Sequence, residues 1–221
     1  MKDLIIVMTH GKAAQTTVRH EPYWKQLGHL VYLTPENDPL PGRDTIGLHY
    51  GRSEHASSAV NRKVLRAFEF ALDFGAERVG FFEYDAICLG DSLPDLPEDT
   101  IGGNVFRDLR KDSGFAGTYF SHPPIVAKRK GLSALVDWMR KLTPEVEHGF
   151  WDRYVGYACE RGRIPLHDFQ KHNQGFGRNP IDQSNLAEAK AAVAAGATLI
   201  HGIKDQWILS EILSAKPRSS R

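Results

Sequence analysis

The chain has 221 residues, a formal net charge of +1, and 41% apolar and 25% charged residues. That length supports one domain with a sizeable core, and the near-neutral charge leaves no electrostatic footprint for a nucleic-acid partner. Cys88 and Cys159 stand far apart and in no CxxC pair, which excludes a disulfide framework and points to a reducing compartment. The apolar run after Met1-Lys2-Asp3 is too short for a signal peptide or a spanning helix. The expected setting is therefore cytoplasmic, with membrane contact at most peripheral, through the basic tail ending Lys216-Pro217-Arg218-Ser219-Ser220-Arg221.

Leu4-Ile5-Ile6-Val7-Met8 reads as a short buried strand ending in Thr9-His10-Gly11. From Ala13 to Leu27, Val18, Tyr23, Trp24 and Leu27 recur at roughly helical spacing, and Pro22 predicts a kink or two shorter pieces. His29 to Leu33 is a second strand, and Thr34 to Gly42 is a turn-rich loop. Strand, helix and strand in this order predict a right-handed βαβ unit. Thr9 and His10 then lie at a strand's carboxyl end, where a nucleotide binds in an open α/β sheet. Equally, Thr9 serves to begin the helix and His10 faces water. Neither GxGxxG nor GxxxxGK[ST] occurs, so a Rossmann dinucleotide site and a P-loop are both unsupported.

Thr45 to Tyr50 predicts another short strand, and Ser57 to Phe74 a long helix with Val60, Val64, Ala67, Phe68, Ala71 and Leu72 as its apolar stripe. Asn61, Arg62, Lys63 and Arg66 read as its solvated face; Asn61 or Arg62 would reach a nucleotide only if the helix start points at the site. Gly75 stops the helix. Arg78-Val79-Gly80-Phe81-Phe82-Glu83-Tyr84-Asp85-Ala86-Ile87-Cys88-Leu89 follows, an apolar run that presents two acids one residue apart. On an extended chain Glu83 and Asp85 fall on the same side, with Tyr84 opposite. Two carboxylates so placed repel each other unless a cation lies between them, which makes the pair a metal clamp. A strand running into a polar, solvated turn would look the same.

Ile101 to Phe106 reads as a strand, and Ala116 to Pro124 as an extended segment entering a binding floor. Helices are expected over Gly131 to Arg140 and over Gly149 to Gly162, the second closed by Gly162. Arg163 to His167 is a short strand that Pro165 assigns to an edge. Phe169 to Pro180 is polar, holds Gly175 and Gly177 and is long for a mere connector, so it reads either as a lid or as a disordered stretch without function. Ser184 is the expected N-cap of an Ala-rich helix from Leu186 to Ala195, ended by Gly196. A last apolar run, Thr198-Leu199-Ile200, leads into His201-Gly202-Ile203-Lys204.

An acid-x-acid pair at a central strand end, the pair Trp151-Asp152 at a late helix start, and His201 with Lys204 near the C-terminus together resemble the GT-A glycosyltransferases, which use nucleotide-sugar donors. The resemblance spans most of the chain as an order of elements. It implies one α/β, Rossmann-like domain over 1–213, a mostly parallel mixed sheet flanked by helices. Residues 1–100 would form the nucleotide-binding half, residues 101–213 the acceptor half and residues 214–221 a flexible tail. Glu83-Tyr84-Asp85 stands where the family carries D-x-D, so Glu83, Asp85 and the late His201 are implied as ligands of Mn²⁺ or Mg²⁺. Thr9, His10, Glu83, Tyr84 and Lys204 would bind a UDP- or GDP-type donor, Trp151 would stack on a glycan or other hydroxyl acceptor, and Asp152 would serve as the base of an inverting transfer. The chain departs from the family twice: glutamate replaces the first aspartate, which bears on metal strength, and Trp-Asp replaces the Glu-Asp of family 2 enzymes, which bears on the base. Two further readings stay open. A sugar nucleotidyltransferase would carry a Gly-rich basic loop after the first strand, where Thr9-His10-Gly11-Lys12-Ala13-Ala14 has one glycine and one lysine. A binding module without turnover would explain the glutamate.

Overall fold

A strand that is apolar on both sides must be covered on both faces, and β1 (Leu4–Met8) is. The computed structural model describes residues 3–35, 40–48, 56–108, 117–142, 151–178 and 180–217. Leu4 and Ile6 pack on one face against α2 (Ala56–Asp73), α3 (Arg129–Lys141) and α4 (Trp151–Gly162). Ile5 and Val7 pack on the other face with Trp24 of α1 (Ala14–Lys25). The main sheet runs β3 (Thr45–Leu48), β2 (His29–Pro35), β1, β4 (Arg78–Glu83), β7 (Gly117–Lys128), β6 (Ile101–Asp108), β8 (Leu166–Asp168). β3, β2, β1 and β4 are parallel neighbours, β7 is antiparallel to both β4 and β6, and β8 closes the edge parallel to β6. The expected mostly parallel mixed sheet between helices is thus the fold that forms.

The run from Arg78 to Leu89 is two strands. After Glu83 the chain turns at Tyr84-Asp85 and leaves the main sheet as β5 (Ala86–Cys88). β5 joins a second sheet, β5-β10-β9, with β10 (Leu199–His201) and β9 (Gly175–Gly177). α5 (Leu186–Ala194) and α6 (Gln206–Ser214) pack against it. β10 runs antiparallel to β5 with His201 opposite Ala86. That register carries the late histidine to the turn that holds the acids.

Several expectations need correcting. Pro22 lies inside α1, which continues as one helix. The amide that Pro22 lacks would have bonded the carbonyl of Val18, one turn earlier on the exposed face of the helix. The buried stripe of α1 is Thr17, His20, Glu21 and Trp24 rather than one including Val18. The segment expected to be extended is so from Gly117 onward, where it forms the first part of the long interior strand β7. The β6 ladder shifts register between Gly102 and Asn104, where Pro123-Pro124 cannot donate. The polar stretch after β8 is a packed element and not a lid: Phe169 is buried over the bare backbone of Gly102, and Gly175, Phe176 and Gly177 are all buried in β9.

At α4 the left-handed residue is Arg163, at φ 50°, while Gly162 lies in the last turn with Trp138 against it. The N-cap of α5 is Asn185; Ser184 bonds Asp182 instead. α6 has no counterpart among the sequence expectations. It carries the ordered chain through Ser214, and Lys216 beyond it donates to the carbonyl of Leu89, so the first part of the expected tail is fastened. His49-Tyr50, the stretch 109–116, Gly149-Phe150 and Arg218 to Arg221 lie outside the described residues. No helix among the described residues is long and apolar enough to cross a membrane.

Candidate metal centre

Glu83 ends β4, Asp85 closes the turn after it, and His201 ends β10. Two backbone amides, of Gly202 and Ile203, donate to the carbonyl of Asp85 at 3.0 and 2.9 Å and lock the two segments together. His201 Nε2 lies 3.3 Å from Glu83 Oε2 and 3.2 Å from Asp85 Oδ1. One ligand atom from each residue falls within 4.8 Å of the other two. Asp85 is 2% and His201 1% exposed. Asp85 Oδ1, close as it is to the imidazole, makes no well-aligned hydrogen bond.

Burial lowers the basicity of His201, yet its contacts with Asp85 and Glu83 outweigh burial and lift it to about 9. Burial works to raise Asp85, but the contact and charge of His201 and the charge of Lys204 hold it below its ordinary value. Lys204 Nζ is 3.8 Å from Asp85 Oδ2. Both carboxylates thus face the His201 ring, and Asp85 faces the Lys204 amine as well. Oxygen and nitrogen donors converging on one point, with a buried carboxylate oxygen short of a bond, fit a divalent ion.

Beside the triad lies a cleft of about 370 Å³ at the carboxyl ends of β1, β2 and β4. Thr9, His10, Glu83, Tyr84, Asp85 and Lys204 all line it. Thr9 is buried and its hydroxyl meets that of Thr17 at 2.6 Å, which ties the end of β1 to α1. His10 is exposed and sets its ring edge-on to Tyr84. The Tyr84 amide donates to Met8 O and its carbonyl faces His20 Nδ1 at 2.9 Å, so the acid turn is tied to both β1 and α1.

Trp151 is placed differently from the expected acceptor platform. It is 6% exposed, edge-on to Phe81 in the core, and its indole N–H donates to Glu83 Oε1 at 3.1 Å. A ring so covered has almost no open face for a sugar to stack on. Asp152, the next residue in the first turn of α4, is half-buried and accepts from the Arg153 amide at 2.8 Å. Burial raises its carboxyl above the usual value; Arg153 opposes this and the negative charge of Glu83 adds to it.

Lys63 also lines the cleft, together with Met8, Pro35 and Val60. Burial pushes its amine down to about 8. The signal was present in the sequence: Lys63 follows Val60 by three residues and so shares its helical face, although lysines on such a helix usually face water. Asn61 and Arg62 are not in the lining.

No protein-family model and no curated protein sequence matches this chain. Solved structures do match. One is the crystal structure of a glycosyltransferase involved in the glycosylation of the major capsid of PBCV-1, with a TM-score of 0.53 and 14% identity, covering 97% of this chain and 99% of that one. At that identity the likeness is one of fold, a single GT-A-like domain matched over nearly its whole length.

Proposed function

We propose that this GT-A-like chain is a glycosyltransferase that moves a sugar from a nucleoside-diphosphate donor to an acceptor hydroxyl, with a divalent ion held by Glu83, Asp85 and His201. The observation that carries this is the convergence of those three side chains, from two distant parts of the chain, at the rim of a cleft across the strand ends. The ion, when bound, supplies a Lewis acid to offset the charge of the departing diphosphate. A nitrogen ligand beside two carboxylates favours Mn²⁺ over Mg²⁺.

The chain's own groups do the rest. Lys204, beside Asp85, sets a positive charge where diphosphate oxygens would lie. Thr9, His10 and Tyr84 form the wall along which the nucleoside runs toward Pro35. From β4 across β1 to β2 is two strand spacings, about 10 Å, which separates a phosphate end from a base end. Asp152 takes the proton of the acceptor hydroxyl. Its raised pKa brings it nearer to working pH, and a general base of this kind contributes roughly 10²–10⁴ in rate. A base on the protein that activates the acceptor directly corresponds to an inverting transfer.

The test is a panel of UDP- and GDP-sugars incubated with Mn²⁺ or with a chelator. Metal-dependent release of nucleoside diphosphate is expected; pyrophosphate release would make the chain a nucleotidyltransferase, and binding without release a binding module. Asp85→Ala should lose metal-dependent nucleotide binding, whereas Asp152→Asn should bind and not transfer. Donor binding by Asp85→Ala equal to that of the parent would contradict the proposal.

A further inference from the structure

The two departures from the pattern that the sequence resembles, a glutamate at position 83 and a tryptophan before Asp152, touch each other in space. Glu83 Oε1 accepts from the Trp151 indole at 3.1 Å while Oε2 faces His201 Nε2 at 3.3 Å. We infer that Trp151 is a positioning residue: its indole N–H fixes the Glu83 carboxylate toward the shared cation site and, through the same bond, docks the first turn of α4 and hence Asp152 on that site. The inference rests on the metal site proposed above.

The physics is that of an outer partner which orients a ligand. A glutamate has one more rotatable bond than an aspartate and loses more freedom when it must hold a single direction. A donor on the oxygen that faces away from the cation removes that freedom before any ion arrives. Indole is a donor only, so it cannot compete for the ion. Its bond to a carboxylate is charge-assisted. The ring is held in turn, being 6% exposed and edge-on to Phe81, the β4 residue two before Glu83. Loss of such partners typically weakens metal affinity 10–100-fold.

The arrangement also adds a polar link between two elements that share one apolar core. Glu83 belongs to the central strand and Asp152 to a helix from the second half of the chain. Trp151 is the neighbour of one and the hydrogen-bond partner of the other.

The experiment is a Mn²⁺ titration, read by electron paramagnetic resonance and calorimetry without donor or acceptor, on the full chain and on Trp151→Phe, Glu83→Ala and the double variant. Phenylalanine keeps the ring on Phe81 and removes only the donor. Trp151→Phe should weaken Mn²⁺ about tenfold in the native background and have no further effect in the Glu83→Ala background, which has no acceptor for the indole. A loss of packing alone would lower the unfolding midpoint of both backgrounds alike and leave Mn²⁺ affinity of the folded protein unchanged, which would overturn the inference. Equal Mn²⁺ affinity of Trp151→Phe and the unaltered chain would also overturn it while leaving the metal site standing. Absence of Mn²⁺ binding by the unaltered chain would remove both.

Discussion

Gly202 follows the metal-site histidine, and replacing it with alanine tests how tightly the backbone of the site is determined. Gly202 sits at φ +99°, where a side chain is strained. A Cβ built there would lie 1.9 Å from the carbonyl oxygen of Arg178 and 3.1 Å from the amide of Ile181. Both obstacles are backbone, and the Ile181 amide is itself bonded to Gly202 O at 2.9 Å, so neither can swing aside. Strain at such a φ costs about 1–3 kcal/mol, and forced overpacking adds about 1–3 kcal/mol. Gly202→Ala should therefore lose roughly 2–6 kcal/mol, and at this chain length each kcal/mol moves the melting midpoint by about 2–4 °C. Urea unfolding gives the first number and a Mn²⁺ titration the consequence for the site. The amide of Gly202 donates to Asp85 O, so relief of the clash must displace Asp85 relative to His201, and Mn²⁺ affinity should fall with stability. A variant within about 0.5 kcal/mol of the parent, binding Mn²⁺ equally well, would refute the reasoning.

Glu83→Asp restores the D-x-D pattern, yet it should weaken Mn²⁺ roughly tenfold. A side chain shorter by about 1.5 Å cannot keep both the Trp151 and the His201 contacts, and calorimetry on the variant decides the matter. Lys204→Met should reduce nucleoside-diphosphate affinity about tenfold in a salt-dependent way and leave Mn²⁺ alone nearly unaffected, as measured by parallel titrations. His20 provides a pH prediction. Burial holds it down at about 4 despite its bond to Tyr84 O, so the folded state keeps it neutral while the unfolded chain takes up a proton near 6.5. Stability therefore falls as pH drops from 6.5 toward 4. Between pH 7 and 4.5 the native protein should lose about 2–3 kcal/mol more than His20→Gln in urea unfolding; equal losses would mean that the imidazole is not buried neutral.

The acid pair, the flanking strands and the helices were legible because their signals are local. An apolar run, a helical stripe and a glycine stop are written in adjacent residues. The grip of His201 on the acids was readable only by family resemblance. It depends on β5 leaving the main sheet at Tyr84-Asp85 and pairing with β10, and nothing in Ala86-Ile87-Cys88 announces a change of sheet. Trp151 illustrates the opposite difficulty: an aromatic beside an acid reads as a sugar platform or as core, and only the position of its N–H shows what it holds. The stretch after β8 looked like a lid because its residues are polar and glycine-rich. Its fate was decided by Phe169 and Phe176, which found covered positions on Gly102 and in the second sheet. Lys63 reads as part of a solvated face since a lysine on a helix usually faces water, whereas here it is buried in the cleft lining.

The central claim is that Glu83, Asp85 and His201 hold a divalent ion against a donor diphosphate. Anomalous diffraction at the manganese edge, from crystals soaked with Mn²⁺ and UDP, tests it most directly. A single peak within bonding distance of Asp85 and His201, with UDP phosphate oxygens on its open side and the nucleoside running past Thr9 toward Pro35, is the predicted result. A peak elsewhere on the molecule, or UDP bound in the cleft with no peak beside the triad, would contradict it.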